Sequence, residues 1–110
     1  MRKELRVRKN EEFGEIIAKK HSFSSGSFII YIRERKLNYA RVGISVSKKL
    51  GDAVVRNKIK RQVRMMFLEI FDYETTKYDV ICIVRNKFLE KSFQENKAEL
   101  EKLIKKAIID

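Results

Sequence analysis

The sequence predicts a single small α+β domain in the order α-β-β-α-β-α, built on a four-stranded, mostly antiparallel sheet with helices packed on it. Three observations carry this. The 110 residues are 44% hydrophobic, enough for one modest core. Apolar residues switch along the chain between helical spacing and strict alternation. With no proline, four glycines and no internal repeat, nothing marks a linker, so residues 1–110 are read as one domain.

The elements follow in order. Asn10 before Glu11-Glu12-Phe13 offers an N-cap with acids in the first turn, and Phe13, Ile16 and Ile17 recur at helical spacing, predicting a short helix near 10–20. His21 to Ser27, with four serines and Gly26, reads as a loop that can also supply a further edge strand. Phe28 to Arg33 is β-branched and aromatic, hence a strand. Tyr39 to Ser47 alternates, with Val42, Ile44 and Val46 on one face and Arg41, Gly43, Ser45 and Ser47 on the other. The intervening Glu34–Asn38 is short enough for a hairpin, which predicts that these two strands pair antiparallel.

Gly51-Asp52 opens the longest helix, Ala53 to Phe71, with Asp52 as N-cap. Tyr78 to Arg85 is a third long strand, and Val80 to Val84 is apolar on both faces, as a central, doubly covered strand must be. Ser92-Phe-Gln-Glu95 has capping-box spacing and begins a C-terminal helix carrying Phe93, Leu100, Leu103, Ile104, Ala107 and Ile108.

Lysine and arginine number 26 against 15 acids, a net charge of +11, which points to a polyanionic partner. The charge is concentrated. Residues 1–10, including Arg2, Lys3, Arg6, Arg8 and Lys9, carry a net +4, and residues 48–64 carry a net +6. From 87 to 110 lysines and acids interleave as on an ordinary solvated helix. One cysteine excludes a disulfide framework or a multi-cysteine zinc site, and one histidine cannot complete a metal cluster without carboxylates. No apolar run approaches the ~20 residues of a membrane span, and the start lacks the apolar stretch of a secretion signal. A cytoplasmic location is expected, with no membrane partner.

On the long helix, Val55, Ile59, Val63, Met66 and Ile70 form one stripe, expected to cover the sheet, while Arg56, Asn57, Lys60, Arg61 and Arg64 fall on a broad arc roughly opposite. Like charges at i,i+4 cost an isolated helix ~0.2–0.5 kcal/mol per pair, so stability alone does not select this arc. Arginine's planar fork matches phosphate geometry, and Asn57 adds a neutral amide. Lys48-Lys49 precede the helix N-terminus, where free N–H groups favour anions. The plainer alternative is a solvated basic face.

The run from Arg41 through Val-Gly-Ile-Ser-Val-Ser-Lys48-Lys49-Leu-Gly-Asp-Ala-Val-Val-Arg56-Asn57-Lys-Ile-Lys60-Arg61-Gln-Val-Arg64 resembles the signature of the bacterial ribonuclease P protein subunit, as does the early segment ending Lys9-Asn-Glu-Glu-Phe13. Asp52 stands where that family usually has Asn; both cap helices. The resemblance implies a ribosomal-protein-like RNA-binding fold with a left-handed β-α-β crossover around the long helix, opposite to the general handedness rule. It implies a small basic protein that binds a catalytic RNA and helps it remove the 5′ leader of precursor tRNA. Lys48, Lys49, Arg56, Asn57, Lys60, Arg61 and Arg64 are then expected to face the RNA subunit, with Arg6, Arg8 and Lys9 as secondary basic contacts. Phe13 and Tyr31 match aromatics of a cleft for the single-stranded leader. Ile17 stands at a further cleft position that is commonly Phe in the family.

Read without the resemblance, Phe13 and Tyr31 are better explained as core residues than as cleft residues. The sequence shows no Ser/His/Asp or Cys/His arrangement and no glycine-rich phosphate loop, so no catalytic residue is expected. His21 has no partner suggested by spacing, Cys82 reads as a small core residue, and the adjacent Glu11 and Glu12 diverge on a helix. No cofactor is expected on the protein. By the resemblance, hydrolysis belongs to the RNA and its bound Mg2+. The competing reading is a ribosomal or general RNA-binding module without a role in tRNA cleavage. DNA is not an expected partner, because the basic helix is flanked by strands rather than by a short turn and a second helix.

Overall fold

The computed structural model of the chain describes residues 3–109; Arg2, part of the N-terminal basic run, lies outside them. Helix α1 (Asn10–Ala18) leads into strands β1 (Ser22–Ser24), β2 (Phe28–Glu34) and β3 (Val42–Val46), then α2 (Ala53–Ile70), β4 (Tyr78–Val84) and α3 (Phe93–Ile109). Short 3-10 turns occupy Lys3–Leu5, Lys48–Leu50 and Asn86–Glu90. The strands form one sheet in the order β1-β2-β4-β3. β1 and β4 run antiparallel to β2, and β3 runs parallel to β4. The residues 21–27 therefore supply the edge strand as well as the loop.

The predicted β2–β3 hairpin does not form: β4 lies between the two strands. Residues 35–41 instead grip the segment before β4. Arg35 N–H donates to the Lys77 carbonyl at 2.9 Å, Arg35 Nη1 donates to the Glu74 carbonyl at 2.9 Å, and Ala40 N–H donates to the Tyr73 carbonyl at 2.7 Å. The physical reason is burial. Val80, Ile81 and Cys82 are completely buried, and only an interior position covers a strand that is apolar on both faces. β3 and β4 are thus adjacent parallel strands joined through α2.

The sheet separates two apolar clusters. Alternation sends Phe28, Ile30, Ile32, Val80, Cys82, Val42 and Val46 into the larger one, against Ile59, Val63, Met66 and Phe67 of α2 and Leu100, Leu103 and Ile104 of α3. Tyr31, Ile81 and Ile83 project the other way and meet Val7, Phe13 and Ile16. Val55, expected to cover the sheet, is 38% exposed. It lies instead over the turn before α2, where a Cβ built on Gly51 would stand 2.8 Å from its own Cβ. Gly51 has φ 148°, open to glycine and strained for other residues. Phe67, outside the predicted stripe, is fully buried.

Two predicted caps form. Asp52 Oδ1 accepts from Val55 N–H at 3.0 Å. Ser92 Oγ accepts from Glu95 N–H at 3.1 Å while Glu95 Oε1 accepts from Ser92 N–H at 3.0 Å. The cap predicted for α1 does not form: Lys9 is the capping residue, without a side-chain bond, and Asn10 is already helical. α1 ends at Ala18 and the chain turns through Lys20, at φ 57°.

Truncating Leu100, which is fully buried, to Ala is expected to destabilise the domain by about 2–5 kcal/mol, against about 1 kcal/mol for Ser92→Ala, as read from urea unfolding midpoints at unchanged slope.

Candidate nucleic-acid interface

Strand register divides the sheet face under α1 into three rows. The first joins Arg33 of β2 to Asp79 of β4, with Arg41 entering beside them. The second is Tyr31–Ile81–Gly43, and the third is Ser24–Ile29–Ile83–Ser45. α1 covers the first two. In the third, Ile29, Ile83 and Ser45 are only half-buried and Ser24 is exposed, leaving an apolar floor edged by hydroxyls.

The first row is an ion cluster. Asp79 is fully buried, its Oδ2 receiving Arg33 Nη2 at 2.9 Å and its Oδ1 receiving the Arg41 N–H at 2.9 Å. Glu12 of α1 closes it, accepting from Arg41 Nη1 at 3.0 Å, from Arg41 Nη2 in a second close contact, and from Arg33 Nη2 at 3.2 Å. Chiefly the hydrogen bonds from Arg41, outweighing burial, hold the Glu12 carboxyl at about 2, below its ordinary 4.5. Both arginines sit in strand surroundings that sequence reading assigns to solvent. No local pattern reveals that Glu12 and Asp79 converge on them.

The second row brings α1 close. A Cβ built on Gly43 would stand 2.6 Å from Phe13 Cζ and 2.7 Å from Ile81 Cδ1, so the ring lies where only glycine leaves room. Phe13 is half-buried, and Tyr31 packs in the same cluster. Ile17 is half-buried on α1, outside that cluster.

Along the edge of β3 the N-terminal arm pairs in parallel through Arg6 and Val42, with Val7 N–H donating to the Val42 carbonyl at 3.0 Å. A cleft of about 430 Å³ opens there. It is lined by Arg6 and Arg8 of the arm, Asn10 and Phe13 at the start of α1, and Lys60 and Arg64 of α2. Burial, and second the charge of Arg6, lower the pKa of Arg64: cations have been brought together where an anion would be held.

The predicted basic residues therefore split. Lys60 and Arg64 join Phe13 at the cleft, with Arg56 half-buried on the same side of α2. Asn57 and Arg61 are exposed on its outer side, and Lys48, Lys49 and Lys9 are exposed outside the cleft lining. Tyr31 and Ile17 also lie outside that lining. A second basic site, with fewer basic residues, went unread in the sequence. Arg85 and Lys87 flank a cavity of about 460 Å³ with Ser24, Ser25 and Gly26, at the end of the sheet where the open row leads off. The Arg85-Asn86-Lys87 run directly after β4 was its available signal.

Among the described residues no helix is long and apolar enough to cross a membrane, and no group of three or more His, Cys, Asp or Glu could hold a metal ion. Cys82 is fully buried, its thiol pKa pushed up by desolvation, and His21 is exposed against Phe23.

A cationic cleft continuous with a half-open sheet face defines the class: a small basic α+β domain whose surface suits a nucleic-acid chain. The sequence pattern of the Ribonuclease P family matches residues 1–108. The chain is 46% identical over 99 residues to the ribonuclease P protein component of Mesoplasma florum, covering 89% of this chain and 90% of that protein. It is 42% identical over 108 residues to that of a Geobacillus species, covering 97% and 93%. Its structure is similar to that of Staphylococcus aureus RNase P protein, with a TM-score of 0.83 at 35% identity over 96% of this chain and 98% of that one. The Thermotoga maritima RNase P protein gives 0.79 at 29% identity over 92% and 96%. This chain belongs to the ribonuclease P protein family.

Glu12 contributes stability that is complete above about pH 4.5 and is lost as pH falls toward 2, because its folded pKa lies below its unfolded one. Glu12→Gln is expected to lower the thermal midpoint at pH 7 and to flatten its decline across that acid window, measured by circular dichroism melts at stepped pH.

Proposed function

We propose that this chain serves as the protein component of ribonuclease P, binding the catalytic RNA subunit and the 5′ leader of precursor tRNA to assist removal of the leader. The observation that carries this reading is the cleft that brings Phe13 together with Arg6, Arg8, Lys60 and Arg64. On this reading Lys60 and Arg64 within the cleft, and Arg56, Asn57, Arg61, Lys48 and Lys49 around it, contact phosphates of the RNA subunit. Arg6, Arg8 and Lys9 add secondary contacts from the arm.

The leader lies across the half-open sheet beside α1. Phe13 and Tyr31 offer ring faces, Ile17 adds apolar area, and the Ile29–Ile83 floor with its serine margins accepts bases without reading them. Arg85 and Lys87 then meet the leader's backbone where it leaves the sheet. The protein's part is to screen phosphates and orient the strand. The Mg2+ used in phosphodiester hydrolysis is assigned to the RNA.

Arg64→Ala and Arg61→Ala are each expected to weaken binding of the RNA subunit and to reduce the log–log salt slope by about 0.7–0.9 for each phosphate no longer neutralised, measured by filter binding across salt concentrations. An unchanged slope contradicts the assignment. Phe13→Ala is expected to weaken holoenzyme binding of leader-bearing precursor by about 5- to 100-fold while leaving mature tRNA unaffected. Equal loss for both substrates contradicts the leader path.

A further inference from the structure

The second basic site is built on two turns. Residues 25–27 join β1 to β2, and their outer side holds Arg85, whose N–H donates to the Ser27 carbonyl at 2.8 Å and whose Nη1 donates to the Ser25 carbonyl at 2.9 Å. The Asn86–Glu90 turn carries Lys87 over the first, since a Cβ built on Gly26 would stand 3.4 Å from Lys87 Cδ and from Lys91 Nζ. Arg85 and Lys87 are exposed, and no acid among the described residues lines the cavity beside them.

Both turns are held from behind by α3. Glu99 Oε2 accepts from Ser25 Oγ at 2.5 Å and from the Ser27 N–H at 2.7 Å, and its Oε1 takes Lys91 Nζ in a close contact. The buried Asn96 accepts from Ser27 Oγ at 2.8 Å and donates from Nδ2 to the Phe88 carbonyl at 3.0 Å, which ties the first turn to the second. Ser27 is completely buried, so these partners are what its polar groups have in place of water. Burial acts most strongly on Glu99 and raises its pKa, but hydrogen bonds from Lys91, Ser25 and Ser27 together outweigh it and keep the carboxyl below its ordinary value, ionised at neutral pH.

Charge counting alone makes an acid this near to Lys87 and Lys91 unfavourable for a bound anion. Its contacts argue the reverse: they run to the turn and to Lys91, and Glu99 lies outside the cavity lining. Resting on the leader path above, we propose that Glu99, assisted by Asn96, is a positioning residue for leader binding. It fixes the turn that aims Arg85 and Lys87 at a leader phosphate, and contacts no RNA itself. A displacement of about 1 Å in such donors is enough to weaken a directed contact.

Two substitutions remove the same charge and so separate position from electrostatics. Glu99→Gln keeps an oxygen that accepts from the Ser27 N–H, whereas Glu99→Ala leaves none. In the reconstituted holoenzyme, Glu99→Ala is expected to bind precursor tRNA with its full leader about 3- to 10-fold more weakly than Glu99→Gln does, with mature tRNA bound equally by both. In an Arg85→Ala background that difference is expected to vanish, as a double-mutant cycle reads it. If Glu99→Ala also loses the RNA subunit, Ser25→Ala decides, since it removes a single tether and is expected to give a smaller loss confined to the leader-bearing substrate. Equal affinities of the Ala and Gln variants, tighter binding by Glu99→Ala, or a difference that persists without Arg85 would overturn the proposal. Phe13→Ala, measured alongside, tells the two failures apart. A leader-dependent loss there with no effect at Glu99 overturns this proposal alone; no loss at either overturns the leader path and this proposal with it.

Discussion

The fold depends on one buried carboxylate. Asp79, at the start of the central strand, is taken wholly out of water, and an isolated charge there would be prohibitively unfavourable. Its partners make it tolerable and come from three places. Arg33 comes from β2, Arg41 from the entry to β3, and Glu12, which grips both arginines, from α1. Glu15, 3.5 Å from both Arg33 and Lys36, extends the cluster, and its three acids, two arginines and one lysine leave it neutral. Removing Arg33 strands the buried Asp79, a loss of about 3–5 kcal/mol for a buried pair, so the cluster ties strand order and helix placement together.

What it fixes is the position of Phe13. Glu12 anchors the first turn of α1, and the next residue lays its ring over Gly43, where a side chain would collide. α1 therefore stops short of the third row of the sheet, which stays half-open. On the other side, the pairing of the arm with Val42 places Arg6 against the field of Arg64. One edge of β3 thus borders two surfaces, a cluster of cations and an aromatic and apolar shelf. Under the proposed function, their adjacency lets one subunit grip one RNA while steering another.

Local rules recovered most of the architecture and the larger basic surface. The caps of α2 and α3, the alternation of β3 and the doubly buried β4 are properties of a few consecutive residues, and each formed. The β2–β3 pairing failed because a short connection speaks only for its own length. The insertion of β4 between those strands is decided some forty residues downstream, by what must be buried. Arg33 and Arg41 were invisible for a related reason. A charged residue in a strand is assigned to solvent unless its partners are known, and Glu12 and Asp79 are remote in sequence. Val55 shows that a helical stripe gives direction without guaranteeing a surface to meet. The basic arc of α2 was legible because like charges without acids to pair them contradict stability; that only its Lys60 and Arg64 share a cleft with Phe13 required the fold.

The most direct measurement compares cleavage of precursor tRNA by the catalytic RNA at low Mg2+, with and without this protein, using substrates of full and deleted leader. The protein is expected to restore cleavage, and its gain in substrate affinity to be largely lost when the leader is removed. No gain with the protein, or the same gain for both substrates, would contradict it.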